Sequence, residues 1–174
     1  MDFDQDYFGL FGLPRRQDVD TARLESLYRD LQARVHPDKH VHLSNGEQRL
    51  AMQWATRVNE AYLTLKDPLK RAHYLLQLAG HDARLETNTA MPMEFLMAQM
   101  ELREQVAEAK ENGDAEMLDG LHRKLRMEIR EQQGELQAAL DSDAFEHGGE
   151  LVRKLMFQEK LLHEVDEALA VLES

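Results

Sequence analysis

His36-Pro37-Asp38 is the sharpest local grouping of chemically capable side chains in this sequence. Proline fixes its own φ, so the turn is stiff and its polar neighbours are held outward. His36 can donate or accept hydrogen bonds, and Asp38 can pair with a partner's arginine or lysine. Taken alone, the tripeptide also reads as an ordinary capped turn, and its context must decide. His40 and His42 follow closely, yet no carboxylate pair or cysteine joins them to His36 as a metal site. A polar loop is the better reading, and no metal is expected.

A second grouping lies beyond Pro92. At about 100° per residue, Phe95, Ala98, Leu102, Val106 and Ala109 form one stripe suited to a core. Leu96, Met97 and Met100 fall roughly opposite, with Glu101, Glu104 and Glu108 beside them. A bundle helix needs one buried face. A second apolar patch rimmed by carboxylates therefore suggests a docking surface, and methionine suits an adaptable one. The plainer alternative buries Leu96 and Met97 beneath neighbouring chain and leaves the glutamates as a solvated face.

No catalytic constellation stands out. There is no glycine loop for phosphate and no Ser-His-Asp ordering, and cysteine is absent. The last fact excludes disulfides, thiolate nucleophiles, cysteine-ligated iron–sulfur clusters and cysteine-containing zinc fingers. A non-enzymatic protein without cofactors is expected.

The elements that must position these groups are helical. Pro14 ends a short apolar segment containing Leu10, Phe11 and Leu13. Asp20 or Thr21 can cap a helix whose stripe is Leu24, Leu27, Tyr28, Leu31 and Val35, and Pro37 stops it. A second helix, about 47–66, is expected to bury Leu50, Trp54, Val58, Ala61 and Leu65; Asp67-Pro68 breaks it before a short helix over 69–78. Residues 79–91 have few apolar positions and no periodicity, and read as a linker. Three longer patterns follow, roughly 92–111, 114–140 and 143–172, separated by Asn112-Gly113 and Asp141-Ser142-Asp143. The middle one buries Leu118, Leu121, Leu125, Ile129, Leu136 and Leu140, although Gly120 and Gly134 weaken the case for its continuity. The last buries Leu151, Leu155, Leu162, Val165, Leu169 and Leu172. Short connections make these a three-helix bundle. The fold class is therefore all-α, with domains over 1–78 and 92–174.

Composition agrees. The 174 residues are 43% hydrophobic and only 6% aromatic, rich in the unbranched side chains that favour helices. No apolar run approaches the roughly 18 residues of a membrane span. Asp2, Asp4 and Asp6 stand where a signal peptide would carry lysine or arginine, so a cytoplasmic protein is expected. The net charge of −12 is unevenly placed: residues 1–78 carry 11 basic and 11 acidic side chains, the rest 10 and 22. That asymmetry suggests two modules with different partners and argues against nucleic-acid binding by the acidic half.

The order of features over residues 3–78 resembles the J-domain of DnaJ-type co-chaperones. Tyr28, Arg29 and Arg34 precede the His-Pro-Asp turn. Val58-Asn59-Glu60-Ala61-Tyr62, Leu65-Lys66-Asp67-Pro68 and Lys70-Arg71-Ala72-His73-Tyr74 follow it. The resemblance implies docking on a DnaK-family ATPase chaperone. His36, Pro37 and Asp38 would trigger ATP hydrolysis there, with Arg29, Arg34 and Lys39 assisting. Glu25 and Asp30 depart from the usual strongly basic helix and suggest selectivity for a particular chaperone.

No Gly/Phe-rich segment or cysteine-based zinc domain follows. Instead Arg71-Ala72, Tyr74-Leu75-Leu76, Glu94-Phe95-Leu96-Met97, Glu101-Leu102-Arg103-Glu104, Val152-Arg153-Lys154-Leu155, and Phe157 with Lys160-Leu161 resemble the HscB family over nearly the whole chain. This is the family of J-type co-chaperones in iron–sulfur cluster assembly. The resemblance implies an L-shaped two-domain molecule, an HscA-type chaperone partner and an IscU-type scaffold partner. The scaffold would be held by Leu96, Met97, Met100, Glu101, Glu104, Glu108 and Phe157. A contact between domains is expected from Tyr74-Leu75-Leu76 and Leu78. Two alternatives stay open: a J-protein for another client, or a helical interaction protein without a chaperone role.

Overall fold

The computed structural model describes residues 2–81 and 91–174, apart from the side chain of Pro37; most of the expected linker lies outside the described residues. Among the described residues there are seven α-helices and no strand. They fall into two compact units, the first running to Leu75 and the second from Leu76 to Ser174.

In the first unit, α1 (Tyr7–Leu10) is capped by Asp6, whose carboxylate accepts from Gly9 N–H at 2.8 Å. Asp20 caps α2 (Thr21–Val35) through Arg23 N–H. A single 3-10 turn, Pro37–His40, leads towards α3 (Asn45–Lys66), which opens with a reciprocal Ser44–Glu47 capping box. The Asp67 carboxylate accepts from Leu69 and Lys70 N–H at the start of α4 (Pro68–Leu78). Phe8, Leu24, Val58, Ala61, Leu65 and Ala72 form the driest part of this core. Trp54 is buried and stacks on Phe3.

Two details differ from the sequence expectation. Leu50 is 47% exposed, because Ala51 starts the inward stripe that continues through Trp54 and Val58 at helical spacing. Leu27, Tyr28 and Leu31 are only half-buried, so Leu24 and Val35 anchor α2. Tyr74 is engaged inside this unit. Its hydroxyl accepts from Tyr7 N–H at 3.0 Å, its ring stacks on Tyr7 and Phe8, and burial pushes its ionisation up.

The second unit contains α5 (Met93–Asn112), α6 (Ala115–Asp141) and α7 (Phe145–Glu173). Gly113 ends α5 at φ +64°, a left-handed conformation that suits glycine. Asp114 then caps α6 by accepting from Met117 N–H. The main core joins Leu102, Val106 and Ala109 to Leu118, Leu121 and Leu125 and to Leu161, Val165 and Ala168. Despite Gly120 and Gly134, α6 is unbroken, since its buried leucines hold both ends of the helix in the bundle.

The α5 and α7 stripes need correction. Ala98 is exposed and Gln99 takes the inward position, while Phe95 is half-buried. On α7, Leu161 and Gln158 are buried, Leu162 and Leu169 sit at the margin, and Leu172 is 38% exposed in the terminal turn.

Candidate functional sites

The first candidate site is the end of α2 and the turn after it. Tyr28 stacks on Tyr62 with ring centroids 4.0 Å apart, and its hydroxyl donates to Asn59 Oδ1 at 2.8 Å. These contacts fix α2 against α3 two turns before the His-Pro-Asp segment. At the turn, Asp38 N–H donates to His36 Nδ1 at 3.3 Å, and Lys39 N–H donates to the His36 carbonyl at 3.0 Å. With Nδ1 accepting, the neutral imidazole carries its proton on Nε2. Asp38 is displayed: its side chain is 88% exposed, with Oδ2 3.6 Å from His36 Nδ1. His40 Nε2 lies 3.0 Å from the Arg34 carbonyl, which fastens the far side of the turn to the end of α2.

The cations expected to assist docking differ in setting. Arg29 pairs with Glu25 at 2.6 Å one turn back, and that hydrogen bond raises its already high pKa. Arg34 and Lys39 are exposed on either side of His36-Pro37. Glu25 thus pairs directly with Arg29, a contact that the i, i+4 spacing signals. Among the described residues, no group of three or more histidine or acidic side chains is placed to hold a metal ion.

The second candidate site is one face of α5. Met97 and Met100 are each 63% exposed, and Glu101, Glu104 and Glu108 are exposed beside them. Leu96 is half-buried at the edge of the same face. Met93, which the sequence reading left out, is 71% exposed there as well; its place in the first turn of α5 could have found it. Phe157, on α7, packs instead against the inward side of α5, away from Met97 and Met100. It is half-buried and meets Phe95 edge to face, with Lys154 Nζ 6.0 Å from the Phe95 ring centre. Arg103 ties α5 to α7 through Glu164 at 3.1 Å.

On the inward side of α5 lies a cleft of about 280 Å³ among the three helices, lined in part by Phe95, Gln99, Gln132, Lys154 and Gln158. The amide oxygens of all three glutamines are buried without a hydrogen-bond partner. This layer does not stand out in the helical apolar pattern. Its signal was a glutamine at the inward position of the stripe Phe95, Gln99, Leu102, Val106.

Comparison with known proteins assigns both halves. Residues 6–74 match the DnaJ domain, and residues 91–166 match the HSCB C-terminal oligomerisation domain. The co-chaperone protein HscB homolog of Aromatoleum aromaticum is 54% identical, covering 100% of this chain and 99% of its own. The chain belongs to the HscB co-chaperone family. The HscB homolog of Ralstonia nicotianae is 50% identical over 94% of this chain and 93% of its own. Among solved structures, chaperone HscB from Vibrio cholerae superimposes with a TM-score of 0.88 at 37% identity, covering 97% of this chain and 99% of its own. The human co-chaperone protein HscB gives a TM-score of 0.90 at 31% identity, covering 96% and 83%. The all-α architecture, an N-terminal J-domain followed by a C-terminal helical domain, is therefore that of HscB. No helix among the described residues is long and apolar enough to cross a membrane.

Proposed function

We propose that this HscB-family co-chaperone joins two partners in iron–sulfur protein maturation. Its J-domain, over residues 1–78, docks on an HscA-type DnaK-family chaperone and stimulates ATP hydrolysis there. Its helical domain, over residues 92–174, carries an IscU-type scaffold to the same chaperone. The protein performs no chemistry itself and acts in the cytoplasm. The observation that carries this reading is the display of two chemically different surfaces on separate units. One is the His36–Lys39 turn, with Asp38 outward; the other is the thioether and carboxylate face of α5.

At the first surface, the turn presents an Nε2 donor and a carboxylate in fixed geometry, while Arg34 and Lys39 supply positive charge. Such exposed charges steer a complementary acidic surface and fix its register. Arg29 reaches that surface only by exchanging Glu25 for the partner, which disfavours chaperones without a strong acid at that position. At the second surface, Met97, Met100 and Leu96 supply apolar contact, the glutamates attract a basic scaffold rim, and Phe157 adds a half-buried ring from α7. Holding both partners on one chain raises the effective concentration of scaffold at the chaperone.

The test is single-turnover ATP hydrolysis by an HscA-type chaperone with this protein, with the scaffold and with both. Asp38→Asn abolishes stimulation in every combination. Leu96→Ala/Met97→Ala/Phe157→Ala keeps stimulation by the J-domain and loses the scaffold's added effect. Stimulation without scaffold synergy in the unmodified protein would reassign the client. No stimulation at all would overturn the chaperone assignment.

A further inference from the structure

With nine methionines and no cysteine, the sulfur chemistry of this chain is thioether chemistry alone. Three thioethers, Met93, Met97 and Met100, fall within the first two turns of α5 and are 71%, 63% and 63% exposed. At about 100° per residue they share one face with Leu96, opposite the buried Gln99, Leu102, Val106 and Ala109. Two other methionines are as accessible: Met52 on α3, 60% exposed, and Met127 on α6, 65% exposed. Both lie outside the proposed docking surface. The molecule thus carries equally exposed thioethers on and off that surface.

We propose that Met97 and Met100 are modification sites for peroxide, and that their conversion to sulfoxide switches off scaffold docking. The inference rests on the docking role proposed above for this face. In the reaction, a sulfur lone pair attacks one oxygen of hydrogen peroxide. The S–O bond forms as the O–O bond breaks, and the departing hydroxide takes the second proton to leave as water. Sulfur loses two electrons and the peroxide gains them. Each thioether becomes a sulfoxide, and one water is released per methionine.

The consequence follows from what each group asks of a partner. A thioether is polarizable, flexible and nearly apolar, so it adapts to an apolar surface without losing hydrogen bonds to water. A sulfoxide is a strong acceptor held by water, and burying it without a donor is costly. Two of them at the centre of the face, beside Glu101 and Glu104, convert an apolar patch into a polar one. The helix itself is not threatened, because its core side is Gln99, Leu102, Val106 and Ala109. A sulfoxide reductase restores the thioethers, so the change is reversible. Docking also covers them, so only scaffold-free protein is open to it.

The experiment treats the full chain with graded hydrogen peroxide. It follows each methionine by peptide mass spectrometry, and binding to an IscU-type scaffold by calorimetry. Met97 and Met100 oxidise among the first, binding weakens by about tenfold or more in step with them, and methionine sulfoxide reductase restores it. Circular dichroism stays unchanged. Saturating scaffold slows oxidation of Met97 and Met100 but not of Met52 and Met127. A Met52→Leu/Met127→Leu variant responds as the unmodified chain does. Met97→Leu/Met100→Leu, compared with itself before and after peroxide, loses the response whatever its starting affinity. Equal binding after complete conversion at both positions would overturn the inference, as would a full response in the latter variant. If the reduced protein does not bind the scaffold at all, the docking role falls first and this inference with it.

Discussion

Phe95 on α5 and Phe157 on α7 meet edge to face, with ring centroids 6.0 Å apart and planes at 79°. The pair is half-buried and sits at the end of α5 that carries the methionine face. The main core of the bundle takes up α5 only from Leu102 onward. The first two turns of the helix are therefore held chiefly by this aromatic contact and by Gln99. Edge-to-face pairs contribute about 0.5–1.5 kcal/mol beyond the area they bury. Phe157→Ala is expected to lower global stability by about 1–2 kcal/mol, less than a fully buried phenylalanine would cost. It should speed amide exchange over residues 93–101 much more than over the end of the helix. Uniform acceleration along α5 would show that the pair does not hold this segment separately.

Gln99, Gln132 and Gln158 bring one amide from each bundle helix to the same cleft, and each has a buried oxygen without a partner. Gln99 and Gln158 are only 5% and 3% exposed. An unpaired buried acceptor costs about 1–3 kcal/mol, whereas an apolar group of similar shape costs nothing of the kind. Gln99→Met is thus expected to raise the urea midpoint, by the equivalent of about 1 kcal/mol, with no loss of helicity. A lower midpoint would mean that the amide is satisfied through solvent in the cleft and stabilises the bundle.

Most of the architecture was legible because helix spacing writes the buried face into the chain. The stripe from Leu118 to Leu140 and the Asp20 cap on α2 are both found where periodicity and capping chemistry place them. The α5 stripe was misread at one turn because Ala98 is the more apolar residue by type, while the geometry turns Gln99 inward. Residue type alone cannot expose a buried polar layer. The His-Pro-Asp turn was legible as a unit, but the link from His40 to the Arg34 carbonyl was not, since it joins a side chain to a backbone atom six residues away. The Phe95–Phe157 contact joins two helices, and nothing in either segment alone signals the other.

Gly120 and Gly134 stand inside α6, and a Cβ built at either would meet nothing within 4 Å beyond the local helix backbone and the adjoining residues. Glycine in a helix interior costs about 0.5–1 kcal/mol relative to alanine, through the entropy of the unfolded chain. Gly134→Ala should therefore stabilise the second unit by about that amount, and Gly120→Ala likewise, nearly additively. Gly113→Ala should do the opposite, because φ is +64° there. Denaturation midpoints of the three variants check the signs. Stabilisation by Gly113→Ala would contradict the left-handed end of α5.

The J-domain should lose stability in acid through two caps. Asp6 is partly buried, which works to raise its pKa, but hydrogen bonds from Gly9 N–H and Arg15 outweigh that and hold it low. The Glu47 carboxylate is likewise held low by the Ser44 hydroxyl and then by Ser44 N–H. A carboxylate whose folded pKa lies below its unfolded value binds fewer protons in the native state. Its contribution is complete above the unfolded value, about 4, and is lost as pH falls through the lower folded value. Stability of this unit should therefore be flat from about pH 7 to 5 on account of these groups and fall below about pH 4. Trp54 is the only tryptophan in the chain and is buried in this unit, so its fluorescence reports that unfolding alone. Asp6→Asn keeps an acceptor for Gly9 N–H but loses the charge facing Arg15. Its urea midpoint should start lower at pH 7 and drop less between pH 5 and pH 3 than that of the unmodified protein. An equal drop in both would mean that Asp6 does not contribute to the acid transition.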